Sequence, residues 1–318
     1  MVFDYWIWIG FSLFLIIMLA LDLGVFHKHS HVVEFKESII WSCVWIGLAL
    51  IFNFGIFYFA GNIKGMEFLT GYLIEKSLSI DNIFIIALIF SYFGVPREYQ
   101  HRVLFWGVIG ALIMRAILIA LGSTLIKEFS WIIYIFGAFL VITGVKMYFQ
   151  NQQSIHPDKN PLVILFKKFF KVSNEYSGEK FFIKEKGKLI ATPLFIVLLL
   201  VETTDLIFAV DSIPAIFAIT QDPFIVFTSN AFAILGLRSL YFALSGIMHK
   251  FYYLKAGLAV ILVFVGIKMM LIDIYKIPIG ISLGFITLVI IISVYASLQK
   301  NKKETLIDGT QKKTGKNT

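Results

Sequence analysis

The feature that most constrains this chain is a series of apolar runs, each about 20 residues long, that follow one another along most of its length. At 1.5 Å per residue, such a run crosses the roughly 30 Å of hydrocarbon in a bilayer. Backbone polar groups cannot stay unpaired there, so each run has to be a helix or a strand of a closed barrel. The runs do not alternate polar with apolar residues as barrel strands do. The expected fold is therefore all-α, a polytopic transmembrane helical bundle. Composition agrees: 58% of the 318 residues are hydrophobic and 15% are charged, against about 25% charged in a soluble domain.

Nine spans are expected, at about 5–21, 39–60, 69–93, 103–122, 130–149, 191–219, 225–247, 254–273 and 278–297. Spans 1 to 5 fill residues 1–149, a basic loop fills 150–190, spans 6 to 9 fill 191–297, and a disordered tail follows at 298–318. The opening MVFDYW lacks a positive n-region and no small-residue cleavage site follows, so the first run is read as a retained span. Within the loop, LVILFKKFFKV is expected as a helix lying at the membrane interface. The stretch KFFIKEKGKL is expected as a hairpin turning at Lys186-Gly187.

The net charge of +8 does not point to a nucleic-acid partner, because the basic residues lie mostly between spans. With the N-terminus outside, cytoplasmic segments hold 20 Lys and Arg and external ones hold Lys64, Lys127 and Lys276. Short loops and the tail alone give 12 against 3. The positive-inside bias then places the N-terminus outside and the C-terminus in the cytoplasm of an inner-membrane protein. One cysteine, Cys43, allows neither a disulfide framework nor a thiolate metal site.

Spans 3 to 5 (69–149) and 6 to 8 (191–273) echo each other. DNIF at 81–84, Arg115 and GVKM at 144–147 answer to DLIF at 205–208, Arg238 and GIKM at 266–269. Asp to Arg is 34 residues in the first block and 33 in the second; Arg to Lys is 31 and 30. Blocks of three spans enter the membrane from opposite sides, which makes this an inverted repeat, with substrate expected near the midplane where the halves meet. Chance similarity between Ile-, Phe- and Gly-rich helices is the competing explanation.

Five carboxylates sit inside these runs: Glu75 and Asp81 in span 3, and Glu202, Asp205 and Asp211 in span 6. Each costs about 2.5 to 3.5 kcal/mol at a helix centre, so together they set roughly 12 to 18 kcal/mol against insertion before pairing. Glu75, Ser79 and Asn82 share one helix face at i, i+4 and i+7. On a straight helix Asp211 lies half a circle from Glu202, but Pro214 removes a hydrogen bond and can unwind the helix beside it. Lys76, Arg115 and Arg238 are expected to pair with the acids, whereas Lys146 and Lys268 sit near span ends and can snorkel. That leaves a surplus of two negative charges, which one dication or two protons would cancel. Structural salt bridges alone are the bland alternative.

The donors are carboxylates, Asn82, and oxygens of Ser79, Thr203, Thr204 and Ser212, a set that suits hard ions such as Mg²⁺, Ca²⁺ and Mn²⁺. All six histidines fall in expected loops, so Zn²⁺ is poorly served. His27, His29 and His31 can collect a metal at the cytoplasmic mouth or be plain solvated loop. Asp22, ending span 1, is a less secure entrance residue.

The stretches EKSLSIDNIF, ATPLF, VETTDLIFAVDSIPAIFAIT, TSNAFAILGLRSLYF and GIKMM closely resemble the TerC family, named for tellurium resistance and including the pH-responsive Alx branch. The likeness runs from about Asp22 to Leu271. It implies an inner-membrane protein of metal homeostasis, most often manganese efflux. It carries the family's acidic membrane residues onto Glu75, Asp81, Glu202, Asp205 and Asp211, and less securely onto Asp22. The expectation is a Mn²⁺ exporter, with protons the candidate coupling ion and no resident cofactor; the partners are the metal ion and the lipid bilayer, and the oligomeric state is open. A membrane scaffold in a stress-resistance complex and an oxyanion transporter are the competing classes, although a carboxylate path repels an oxyanion. No nucleotide loop or nucleophile–base set stands out, so an enzyme is not expected.

Overall fold

The structure is a computed structural model describing residues 5–24, 35–129, 131–149, 161–169, 171–173, 175–185, 188–245 and 253–314. The side chains of Asp22, Asp81 and everything beyond Lys300 fall outside that description, as do His27, His29 and His31. Eleven helices and one two-stranded hairpin are described. The helices are α1 (Tyr5–Gly24), α2 (Phe35–Ala60), α3 (Asn62–Phe93), α4 (Arg97–Glu128), α5 (Ile132–Phe149) and α6 (Pro161–Phe169), then α7 (Pro193–Phe217), α8 (Pro223–Leu235), α9 (Leu237–Leu244), α10 (Leu254–Met270) and α11 (Ile279–Thr314). Strands β1 (Phe182–Glu185) and β2 (Lys188–Ala191) pair antiparallel with Glu185 opposite Lys188, and the turn expected at Lys186-Gly187 lies outside the described residues.

Every expected apolar run coincides with a helix, and the seventh with the pair α8–α9. Among the described residues, five helices are long and apolar enough to cross a membrane, or six if the bent pair α8–α9 is one span. The helices outside that set are instructive. α1 has a shorter apolar stretch, α10 is 17 residues long, and α3 carries Lys64, Glu67, Glu75, Lys76 and Asp81. The protein is a multi-pass helical membrane protein.

One expectation is corrected. α7 runs unbroken past Pro214 to Phe217, so losing the one hydrogen bond to the Val210 carbonyl does not end the helix. The break lies instead at Gly236, where α8 and α9 meet at 40° without any proline. α11 continues as far as Thr314.

Packing sorts the helices into an interior and a rim. α8 is almost wholly buried, chiefly against α3 and α4, while α1, α2, α5 and α11 turn large residues such as Trp6, Phe54, Ile142 and Ile291 outward. Apolar surface of that kind belongs against lipid. α3 packs on α7 and α8, α4 packs on the same two helices, and α5 packs on α10. The α5–α10 contact is antiparallel and close: a Cβ on Gly137 would stand 2.9 Å from the Gly266 carbonyl oxygen, and one on Gly144 would stand 2.8 Å from that of Ala259.

Candidate metal centre

The four interior helices send polar groups to the same place. Arg115 of α4 is 1% exposed, in the middle of a long apolar helix, so its five N–H donors need acceptors from neighbouring helices. Glu75 of α3, fully buried, accepts from its Nη1. Asp205 of α7 accepts twice, Oδ1 from Nη2 at 3.2 Å and Oδ2 from Nε at 3.4 Å, in the forked geometry of a guanidinium–carboxylate pair. Ser212 Oγ, seven residues on and on the same face of α7, accepts from Nη1 at 3.3 Å. Asn230 Oδ1 of α8 accepts from the same nitrogen at 2.6 Å, and its amide donates to the Val226 carbonyl at 2.9 Å.

The expected polar face of α3 is real. Glu75, Ser79 and Asn82 are all buried on it. Asn82 Nδ2 reaches Asp205 Oδ1 at 3.5 Å, and Ser79 donates back to the Glu75 carbonyl at 2.8 Å. Three buried acceptor atoms beside this network have no hydrogen-bond partner: Glu75 Oε2, Asn82 Oδ1 and Glu202 Oε2. An unpartnered buried acceptor in a low-dielectric interior calls for a cation, a proton or a water. Glu202 lies one turn before Asp205 and against Gly110 of α4, a position only a residue without a side chain leaves open.

The other expected site residues lie elsewhere. Asp211 turns away from Arg115 and hydrogen-bonds Thr143 of α5, since one residue of helix rotates it about 100° from Ser212. Lys76 donates to the Ala233 carbonyl at 3.3 Å, next to the α8–α9 break, in place of the expected pairing with an acid. Arg238 of α9 sits 2.8 Å from His101 Nε2. That histidine belongs to α4 and not to a loop as expected, because α4 begins at Arg97. Lys146 is exposed as expected, but Lys268 is buried at 9% exposure, so it does not snorkel. Among the described residues no group of three or more His, Cys, Asp or Glu side chains could hold a metal ion. Of the expected five acids, Glu75 and Asp205 meet on one guanidinium with Glu202 beside them, Asp211 does not join them, and the Asp81 side chain lies outside the described residues.

Sequence reasoning missed Asn230. Its only signal was an amide within the otherwise apolar TSNAFAIL, a signal shared by many packed helices.

The profile of the integral membrane protein TerC family matches residues 60–305. An uncharacterized membrane protein of Myxococcus xanthus is 52% identical over 93% of both chains. A protein of Escherichia coli K12 named as a membrane-bound redox modulator, Alx, is 50% identical over 88% of this chain and 90% of its own. The Alx protein of Photorhabdus laumondii is 47% identical over 93% of this chain and 95% of its own. No solved structure matches the chain.

Proposed function

The chain belongs to the TerC family of integral membrane proteins, and from that premise we propose that it is a secondary transporter exporting a divalent cation, with Mn²⁺ favoured. The observation that carries this reading is the meeting of Glu75 and Asp205, from different thirds of the chain, on one buried guanidinium with acceptor atoms to spare. Arg115 is then the resident counter-cation of an empty site. A dication entering beside Glu75, Asn82, Asp205 and Glu202 displaces the guanidinium onto Asn230 and Ser212. The donors are all oxygen, which suits Mn²⁺, Mg²⁺ or Ca²⁺ over softer metals. Protons taken up by the same carboxylates on the return step would couple the export.

The reading includes nine spans and an inverted repeat relating α3–α5 to α7–α10. Reciprocal packing supports the repeat: α3 on α8 answers α4 on α7, and Gly137 against Gly266 answers Ala259 against Gly144. The pair α5–α10 then straddles a two-fold axis lying in the membrane plane, as in other transporters of this plan. The basic connections support an outside N-terminus and a cytoplasmic C-terminus.

In purified protein reconstituted into vesicles, Asp205→Asn and Glu75→Gln should each lower Mn²⁺ flux at least about tenfold, the effect of losing roughly 1.4 kcal/mol of cation binding. Flux unchanged in both, with normal protein yield, would remove the assignment. A second reading has an observation of its own: the Arg115 network is closed and could simply lock helices together. In that case the combined variant Arg115→Met, Glu75→Gln, Asp205→Asn keeps cellular function, whereas a carrier loses it. The redox role in the relatives' name cannot rest here on a two-thiol cycle within one chain, because the chain has one cysteine; it would follow from the redox-active metal moved.

A further inference from the structure

Residues 161–191 are more than a connection. In α6 the sequence PLVILFKKF divides by helical period: Val163 and Phe166 turn inward, with the Phe166 ring 4.9 Å from Phe195, while Ile164, Leu165 and Lys168 turn outward. Ile164 and Leu165 are each 53% exposed. In the hairpin, Phe182, Lys184 and Leu189 share one face, since Lys184 pairs with Leu189 and side chains alternate. Phe182 of that face lies 4.6 Å from the same Phe195.

Phe195 is in the first turn of α7, where a span candidate begins. The segment is tied to two other span ends as well. Tyr176 donates to the Phe93 carbonyl at 2.8 Å, at the end of α3. Arg102, near the start of α4, meets Glu179 at 3.3 Å and lies over the Phe181 ring at 5.5 Å. The outward apolar residues are therefore held at the level where helices leave hydrocarbon. Around them Lys168, Lys171 and Lys184 are exposed, and Glu179 is already matched by Arg102.

We propose that α6 and the hairpin form a lipid-binding foot, with Ile164, Leu165 and Leu189 entering the acyl boundary of the adjacent leaflet while Lys168, Lys171 and Lys184 hold the phosphates of acidic phospholipids. Exposed apolar residues flanked by lysines at a membrane surface fit anionic lipid in both parts, apolar chain and charged headgroup. This inference does not rest on metal transport.

The lone cysteine makes the test clean. In a Cys43→Ala background, Leu165→Cys carries a spin label, and the full chain is placed in nanodiscs containing phosphatidylglycerol. The label should collide more with oxygen than with an aqueous nickel chelate. Replacing Lys168, Lys171 and Lys184 by Gln, one at a time, should each weaken phosphatidylglycerol binding about fivefold. Free access of the nickel chelate, or dipolar broadening from a label on a second copy, would overturn the proposal. So would lysine variants that retain acidic lipid as well as the parent does.

Discussion

Arg115 shows how much one side chain can decide in a membrane interior. Its guanidinium is the common partner of α3, α7 and α8, and its loss strands two carboxylates with no other base within hydrogen-bond reach among the described residues. Removing one partner of a buried ion pair costs about 3 to 5 kcal/mol. Arg115→Met should therefore lower unfolding stability in detergent by that order. Adding Glu75→Gln and Asp205→Asn should return most of it, because no buried charge is then left unmatched. Arg115→Lys should fall between, since an ammonium cannot make the forked contact with Asp205. Legibility at this scale was uneven. The polar face of α3 could be read from spacing, whereas the choice of Arg115 over Lys76 as partner of Glu75 could not, because both bases lay within reach of any plausible packing.

Among the elements, the α5–α10 pair is the tightest contact and rests on absent side chains. A Cβ on Gly266 would stand 2.6 Å from the Gly137 carbonyl oxygen and 2.9 Å from Val141 N, both backbone atoms that cannot swing aside. Helices in lipid associate through such close approach, since apolar burial gives no advantage there. Gly266→Val should separate the pair and destabilise the fold by about 1 to 3 kcal/mol, the usual cost of overpacking. Gly55, whose Cβ would meet nothing within 4 Å, is the control: Gly55→Ala should leave the thermal midpoint in place. The GVKM and GIKM of the sequence singled out these two helices, but not that they face each other. The α8–α9 break was invisible for another reason: LGLRS has no proline, and the Lys76 ammonium that satisfies the Ala233 carbonyl comes from a distant helix.

Taken whole, the molecule keeps charge in its core and at one end, and apolar surface on its rim. Lys64, just ahead of the apolar part of α3, bonds Glu67 at 2.9 Å and Asp222 at 3.3 Å, and Thr220 donates to Glu67 at 2.6 Å. Asp222 also caps α8 by accepting from Phe224 N at 3.1 Å. This cluster ties the start of α3 to the α7–α8 turn. Burial works against the charge on Lys64, but the hydrogen bonds and attraction of Glu67 and Asp222 outweigh it and raise its pKa above the ordinary 10.5. A raised lysine pKa adds stability that is whole below 10.5 and fades as pH climbs through the folded value. Thermal midpoints of the parent and of Lys64→Met should thus differ at neutral pH and draw together in strong alkali. A constant gap across that range would show that the tie is not ionic.

What the sequence determined by itself was the solvent and the secondary structure. Unpaired backbone groups cannot exist in hydrocarbon, so runs of that length and apolarity have to be helices, and the expected runs coincide with described helices. Spacing also set which residues share a helix face, because 100° per residue is a local rule. Only the tertiary structure decided which faces meet. Rotation of each helix about its axis and the partner it packs against depend on contacts between residues far apart in the chain. That is why Asp205 and Ser212 reached Arg115, while Asp211, one position from Ser212, went to α5 instead.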